Sequence, residues 1–142
     1  MHHGKCGISL FEFYKGKKVL ITGHTGFKGA WLCEILLQLG ANVIGYALDS
    51  PTMPSLYKML NIENDVVDIR GDVRDYCHLK ETFDLYNPEV VVHLAAQPIV
   101  RESYHNPVLT YETNVMGTVN VLECIRNSNS VISFLNVTTD KV

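Results

Sequence analysis

Three glycines with two residues between each and the next, in Thr22-Gly23-His24-Thr25-Gly26-Phe27-Lys28-Gly29, lie between a short β-branched run and a helical pattern. No other feature of the chain constrains its fold as much. A turn so poor in side chains lets the backbone leave a strand sharply, approach something outside it, and enter a helix packed tightly on a sheet. Gly23 suits the first task, Gly26 the second and Gly29 the third. The run ahead of the turn, Val19-Leu20-Ile21, is the first of five. Val43-Ile44-Gly45-Tyr46, Val66-Val67-Asp68-Ile69, Val90-Val91-Val92-His93-Leu94 and Val131-Ile132-Ser133-Phe134-Leu135 follow, with helical patterns between most of them. Near-continuous apolarity marks parallel strands covered on both faces. Alternation with helices implies crossover connections. The expected fold is α/β: a doubly wound parallel sheet of Rossmann type, in strand order 3-2-1-4-5, truncated after the fifth strand.

The helices carry their own punctuation. One begins near Phe27, with Trp31, Leu32, Ile35, Leu36 and Leu39 on one face, and stops at Gly40. The next has Asp75 as N-cap, buries Leu79, Phe83 and Tyr86, and yields at Asn87-Pro88. The longest runs from Asn106 (N-cap) and Pro107 to Arg126, its stripe being Val108, Tyr111, Val115, Val119 and Leu122. Pro51 and Pro54 interrupt the stretch between the second and third strands, where Ser55 to Leu60 is a candidate short helix. A chain of 142 residues suits one domain. Residues 1–16 read as an N-terminal extension and 17–142 as a dinucleotide-binding domain.

Composition excludes several classes. A formal charge of -3 carries no basic excess to attract nucleic acid. No apolar run approaches the roughly 18 residues that span a bilayer, and the N-terminus lacks an apolar signal core. Cys6, Cys33, Cys77 and Cys124 form no C-x-x-C pair, so a reduced, cytoplasmic setting is expected, with Cys33 and Cys124 as small core residues. The histidines show no metal-ligand spacing, and no metal is expected.

A diphosphate needs backbone N–H groups aimed at it, and a helix N-terminus provides them together with a favourable dipole. Gly23, Thr25, Gly26, Phe27, Lys28 and Gly29 are the candidate cradle. The alternative is a glycine-rich helix start with no ligand. Asp49, twenty residues beyond Gly29, is the candidate acid for the adenosine ribose hydroxyls. Ala47 holds the strand-end position itself; Asp49 shares its parity, and could instead cap a turn before Pro51. No arginine stands nearby to receive a 2′-phosphate, which favours NAD over NADP.

The cradle, Gly71-Asp72-Val73-Arg74-Asp75, His93-Leu94-Ala95-Ala96-Gln97 and Thr113-Asn114-Val115-Met116-Gly117-Thr118 occur in order and at characteristic intervals. Together they resemble the extended short-chain dehydrogenase/reductase superfamily, specifically its nucleotide-sugar dehydratases and epimerases, from about Lys17 onward. Gly23 to Leu32, Leu48-Asp49-Ser50-Pro51-Thr52, Ala96 to Arg101 and the ending Thr139-Asp140-Lys141 are most similar to the CDP-glucose 4,6-dehydratases. The related dTDP-glucose dehydratases carry an acid where Lys141 stands.

The resemblance implies roles. Phe27 and Lys28 offer main-chain N–H groups to the diphosphate, and Asp72 and Val73 contact the adenine. Leu94, Ala95, Ala96 and Gln97 line the cofactor channel, Thr113 helps seat the cofactor, and Asn114 supports the active-site backbone. Packing alternatives remain: a tight strand end for Leu94 to Ala96, and a turn cap for Asp72. The implied reaction is NAD-dependent loss of water from a nucleotide-linked glucose. Thr139 bonds the sugar near its C4 oxygen, Asp140 protonates the leaving hydroxyl, and Lys141 replaces the family's other acid/base group; a merely polar strand end is the alternative.

The superfamily's tyrosine–lysine pair is expected beyond Val142, since Tyr14 to Lys18 and Tyr76 to Lys80 are misplaced for it. The chain thus reads as the cofactor-binding part of a longer enzyme, without its substrate lobe and inactive alone. A nucleotide-sugar epimerase and a non-catalytic NAD-binding module remain open. The helix from Asn106 to Arg126 and the exposed sheet edge lead us to expect a homo-oligomer.

Overall fold

The computed structural model describes residues 9–138. Five parallel strands form one sheet: β1 (Lys18–Thr22), β2 (Asn42–Ala47), β3 (Val67–Arg70), β4 (Val90–His93) and β5 (Ser133–Asn136). Their order is β3-β2-β1-β4-β5, as expected. Order reverses between β1 and β4, whose registers pair Thr22 with His93. Beyond the carboxyl ends of those two strands an open α/β sheet forms its ligand crevice.

The β-strand period of two divides the core in two. Val19, Ile21, Val43, Val90 and Val92 pack on one face with Ala30, Cys33, Leu36 and Tyr57, which lie on α2 (Phe27–Gln38) and α3 (Leu56–Met59). Leu20, Ile44, Tyr46 and Val91 pack on the other with Leu79, Phe83, Val121 and Cys124, which lie on α4 (Tyr76–Tyr86) and α7 (Gly117–Arg126). A short α1 (Leu10–Tyr14), capped by Ser9 and Glu12, precedes the first strand, and Phe13 and Tyr14 lean on the first cluster. The period and punctuation did not reveal that helix.

Two helices depart from the face their apolar spacing predicts, α2 at Trp31 and Ile35 and the C-terminal helix along its whole stripe. In α2 the buried residues are Gly29, Ala30, Cys33 and Leu36. Trp31 is 46% and Ile35 51% exposed. The cause is Gly29: a β-carbon there would lie 2.7 Å from His24 Cα, so the helix sits too close to the turn for large residues to face it. That contact fixes the rotation of α2 and turns Trp31 and Ile35 outward, while Leu36 is buried and Leu32 and Leu39 pack against the core.

The long C-terminal helix behaves likewise. Asn106 caps it, accepting from Leu109 N–H, and Pro107 opens α6 (Pro107–Tyr111). A π-helical turn, Glu112–Met116, joins α6 to α7. Gly117 lies against Val73, and the buried line of α7 is Gly117, Val121 and Cys124. The predicted stripe of Val108, Tyr111, Val115, Val119 and Leu122 points outward instead, with exposures between 45% and 69%. Helix α4 follows its pattern: Asp75 caps it, Leu79 and Phe83 are buried, and Asn87 ends it in the left-handed region. A further helix, α5 (Val100–His105), fills the link after β4. No described helix is long and apolar enough to cross a membrane.

Candidate functional site

The glycine turn leaves β1 as its spacing predicts. Gly23 has φ +80°, and a β-carbon there would come within 2.8 Å of Ala95 N, so the turn presses directly on the segment leaving β4. Gly26 differs. Its backbone is extended, with φ -75° and ψ 168°, and a β-carbon would meet nothing nearer than Gly23 O at 3.4 Å. Nothing inside the fold requires a glycine at this position. Its bareness leaves the α2 N-terminus uncapped by any side chain and open to close approach from outside. Uncapped first-turn N–H groups with a positive dipole end suit an anion.

Around this opening lie the other residues singled out in the sequence. Phe27 is 70% exposed and Lys28 is exposed, so both main chains stand at the helix mouth. Thr25 is buried, its hydroxyl donating to the Leu48 carbonyl at 2.9 Å. Asp72 does cap a turn: its carboxylate accepts from Arg74 N–H at 2.9 Å and pairs with the Arg74 guanidinium. That guanidinium holds the Asp72 carboxyl below the usual carboxylate range. The Val73 side chain is buried between Gly117 and the core, while the Asn120 amide donates to its carbonyl at 2.9 Å. Ala96 is exposed; Leu94, Ala95, Gln97 and Thr113 are half-buried. Thr139, Asp140 and Lys141 lie outside the described residues.

Two polar networks hold the opening in shape, and the sequence disclosed neither. The first runs across the switch point. Thr22 Oγ1 is 2.6 Å from His93 Nδ1, and His93 Nε2 is 3.1 Å from Thr118 Oγ1. Thr118 donates its proton to the Asn114 carbonyl at 2.7 Å, so it can only accept from His93, which places the imidazole proton on Nε2. Nδ1 then accepts from Thr22, whose oxygen in turn accepts from Leu94 and Ala95 N–H, each at 3.2 Å. Every polar atom of this buried imidazole is used in its neutral form, and burial lowers the His93 pKa to about 4. Asn114, in the π-helical turn, extends the lock by bonding both the N–H and the carbonyl of Gln97, at 2.7 and 3.1 Å.

The second network lies beneath the turn toward β3. His24 is fully buried, with Nε2 3.0 Å from Asp68 Oδ1 and its ring edge-on to Tyr57. Burial is the largest influence on this imidazole and lowers its pKa. Asp68 also accepts from Arg70 at 2.8 Å. Arg70 reaches the Leu48 carbonyl at 3.2 Å and stands 3.7 Å from the fully solvated Asp49 carboxylate. This corrects the sequence expectation that no arginine is near Asp49. Parallel register pairs Ala47 with Arg70, placing together two residues that the sequence separates by a whole crossover.

Residues 20–142 match the GDP-mannose 4,6 dehydratase family. The chain belongs to that family. The CDP-glucose 4,6-dehydratase of Salmonella typhimurium is 48% identical over 131 residues, 92% of this chain and 36% of that protein. An epimerase structure from Methanothermobacter thermautotrophicus matches with TM-score 0.77 and 29% identity, over 98% of this chain and 40% of that one. The Thermus thermophilus UDP-glucose 4-epimerase, solved in complex with NAD, gives TM-score 0.67 and 31% identity over 80% and 35%. The chain therefore spans little more than a third of its Salmonella relative. Within the family, the carboxyl ends of β1 and β4 with the α2 N-terminus form the candidate site.

Proposed function

We propose that this chain is the NAD-binding portion of a nucleotide-sugar 4,6-dehydratase acting on CDP-glucose. The observation that carries the reading is Gly26: a bare N-cap, which the fold does not need, at an uncapped helix mouth on the switch point. The diphosphate rests on the Phe27 and Lys28 main chain, with Gly23, Thr25 and Gly29 shaping the turn. Asp49 accepts from the adenosine ribose hydroxyls. Asp72 and Val73 border the adenine, and Leu94, Ala95, Ala96, Gln97 and Thr113 line the channel toward the reacting end. The Thermus relative solved with NAD supports the choice of cofactor; identity to the Salmonella dehydratase supports CDP-glucose. Bound there, the dinucleotide supplies a hydride acceptor beside the sugar. Thr139, Asp140 and Lys141, just beyond β5, orient the sugar, protonate the departing hydroxyl and assist the proton transfers. The outward apolar stripe of α6 and α7 is the face for self-association.

Substituting Gly26→Asp tests the cradle. Aspartate is a favoured N-cap, so melting should hold or rise slightly while its charge repels the diphosphate. NAD⁺ affinity should fall at least tenfold; equal affinity in the two proteins refutes the cradle. A second reading, a C4 epimerase, draws on the solved relatives named as epimerases. Incubating the full-length protein with CDP-glucose and NAD⁺ separates the two: a 4-keto-6-deoxy product supports dehydration, and a C4-inverted sugar supports epimerisation.

A further inference from the structure

Gln97 ends the run that lines the channel, yet its side chain is committed to the fold. Its Oε1 accepts from Ile99 N–H at 2.6 Å, and its Nε2 donates to the Ile99 carbonyl at 3.2 Å and to Thr110 Oγ1 at 3.0 Å. Both amide protons are thus used, and none remains to donate to a dinucleotide. The main chain is fixed separately, by the Asn114 amide on its N–H and its carbonyl. Ile99 is the N-cap of α5, so the Gln97 side chain grips the start of that helix and joins it to α6. The helix needs such a grip. It has six residues, none of them buried, and so short a helix does not hold together in water by itself. Among the described residues, Gln97 is the one side chain outside α5 that bonds to it or to its cap. Pro98 and Pro107 bracket the segment, and Ile99, Val100 and Tyr104 are largely exposed.

We propose that α5 is a flap at the reacting end of the cofactor channel and that the Gln97 side chain is its latch, a positioning residue for the sugar and not a contact of the dinucleotide. This rests on the dehydratase reading above and adds to it the element that closes over the substrate. The flap leaves the sheet beyond the carboxyl end of β4, where the ligand crevice opens. A helix without a core face, tied down by one side chain, opens by local unfolding far more readily than the sheet beneath it. Held down, its apolar residues exclude water from the sugar; released, they clear the way in. Thr110 completes the latch. Its hydroxyl accepts from Gln97 and donates to the Asn106 carbonyl at 3.1 Å. Gln97 holds Ile99 and Thr110 holds Asn106, so one amide–hydroxyl pair ties both ends of the flap. The same residue borders the channel through its clamped main chain, so the flap closes against a wall that does not move with it.

Hydrogen–deuterium exchange read by mass spectrometry tests the latch on the chain as given and on Gln97→Leu, Thr110→Val and Thr110→Ser. In Gln97→Leu the amides from Ile99 to Asn106 should exchange at least about tenfold faster, because several hydrogen bonds are lost together, while those of β1 and β4 stay as in the parent. Thr110→Val should give a smaller rise, and Thr110→Ser, which keeps the hydroxyl, should match the parent. Unchanged α5 exchange in Gln97→Leu overturns the latch, as does a rise spread evenly over the sheet. Should Gln97→Leu unfold, Thr110→Val carries the same test. Kinetics of the full-length protein with CDP-glucose then test the function. Thr110→Val should raise KM for CDP-glucose by about threefold or more and leave NAD⁺ affinity, by titration, unchanged; Thr110→Ser should restore the parent KM. A purely structural role would not separate the two ligands. Faster α5 exchange with an unchanged KM overturns the flap's part in sugar binding, and a parallel loss of NAD⁺ affinity overturns its separation from the dinucleotide. If the full-length protein does not convert CDP-glucose, the dehydratase reading fails and the sugar-positioning role with it, while exchange still decides the latch.

Discussion

Replacing Thr22 by valine exchanges one hydroxyl for a methyl in a fully buried side chain and leaves its shape nearly unchanged. Valine favours strands as threonine does, so propensity predicts no loss. The hydrogen bonds predict a large one. Thr22 Oγ1 serves His93 Nδ1, Leu94 N–H and Ala95 N–H. Leu94 keeps a second acceptor, the Thr22 carbonyl at 3.1 Å. His93 Nδ1 and Ala95 N–H are left without partners in the dry interior. An orphaned buried polar group costs about 1–3 kcal/mol, so Thr22→Val should destabilise by roughly 2–6 kcal/mol.

Thr22→Ser supplies the contrast. It keeps the oxygen and deletes one buried methyl, at a cost of about 1 kcal/mol. Urea unfolding followed by circular dichroism measures both. With a slope of about 2 kcal/mol per molar, the valine variant should lose at least about 1 M of midpoint and the serine variant about half that. An order of stability of threonine, then serine, then valine is the signature of the network. A valine variant as stable as the serine variant or the parent would show that Thr22 is only a packing residue, and the one-way reading of His93 and Thr118 would fall with it.

Other outcomes follow from the same geometry. The folded His93 pKa of about 4 lies below the ordinary 6.5, so the unfolded chain takes up the proton first as pH falls. Stability from this group is complete above about pH 6.5 and is lost on descending toward 4, by about 2 kcal/mol between pH 7 and 5. His24 acts in the same direction, and His93→Asn should flatten the midpoint–pH curve over that range. A midpoint independent of pH in the parent would count against a buried neutral imidazole. Gly29→Ala drives a β-carbon toward the backbone of Gly23 and His24 and should cost about 1–3 kcal/mol, lowering the melting temperature by roughly 5–10 °C. An unshifted melt would show that α2 can move away from the turn without penalty.

The strands and the Asp75 and Asn106 caps were legible because each is written locally, in β-branched runs, glycines and N-cap residues; the strand order followed from the doubly wound pattern those strands and helices make together. Helix rotation was not. Apolar spacing gave Trp31 and Ile35 to the core of α2, but Gly29 decided the matter by bringing helix and turn into backbone contact. Gly117 plays the corresponding part for α7, against the Val73 side chain. Small residues determine which side of a helix approaches a sheet, and a search for bulky apolar spacing gives them little weight. Short helices such as α1 and α5 carry too few turns for a period to emerge.

The functional residues divide along the same line. Those that act through the main chain at the turn were readable, because absent side chains leave a mark in the sequence. Those that act through long-range polar pairing were not, because parallel register, not spacing, brings Arg70 beside Asp49 and His93 beside Thr22 and Thr118. Both networks end on the backbone of the candidate site: one on the Leu48 carbonyl and Thr25, the other on Leu94, Ala95 and the Asn114–Gln97 clamp. The buried groups of the His93 network are fully paired and resist relaxation, because any shift leaves a donor or acceptor unpaired in a dry interior. The second network leaves His24 Nδ1 and the Tyr57 hydroxyl without partners among the described residues. The walls of the crevice are therefore held by hydrogen bonds whose loss would be costly, whereas the glycine turn is held by the absence of side chains. A ligand entering at Gly26 meets surroundings whose order is already set, and little of the energy of binding is spent on ordering them.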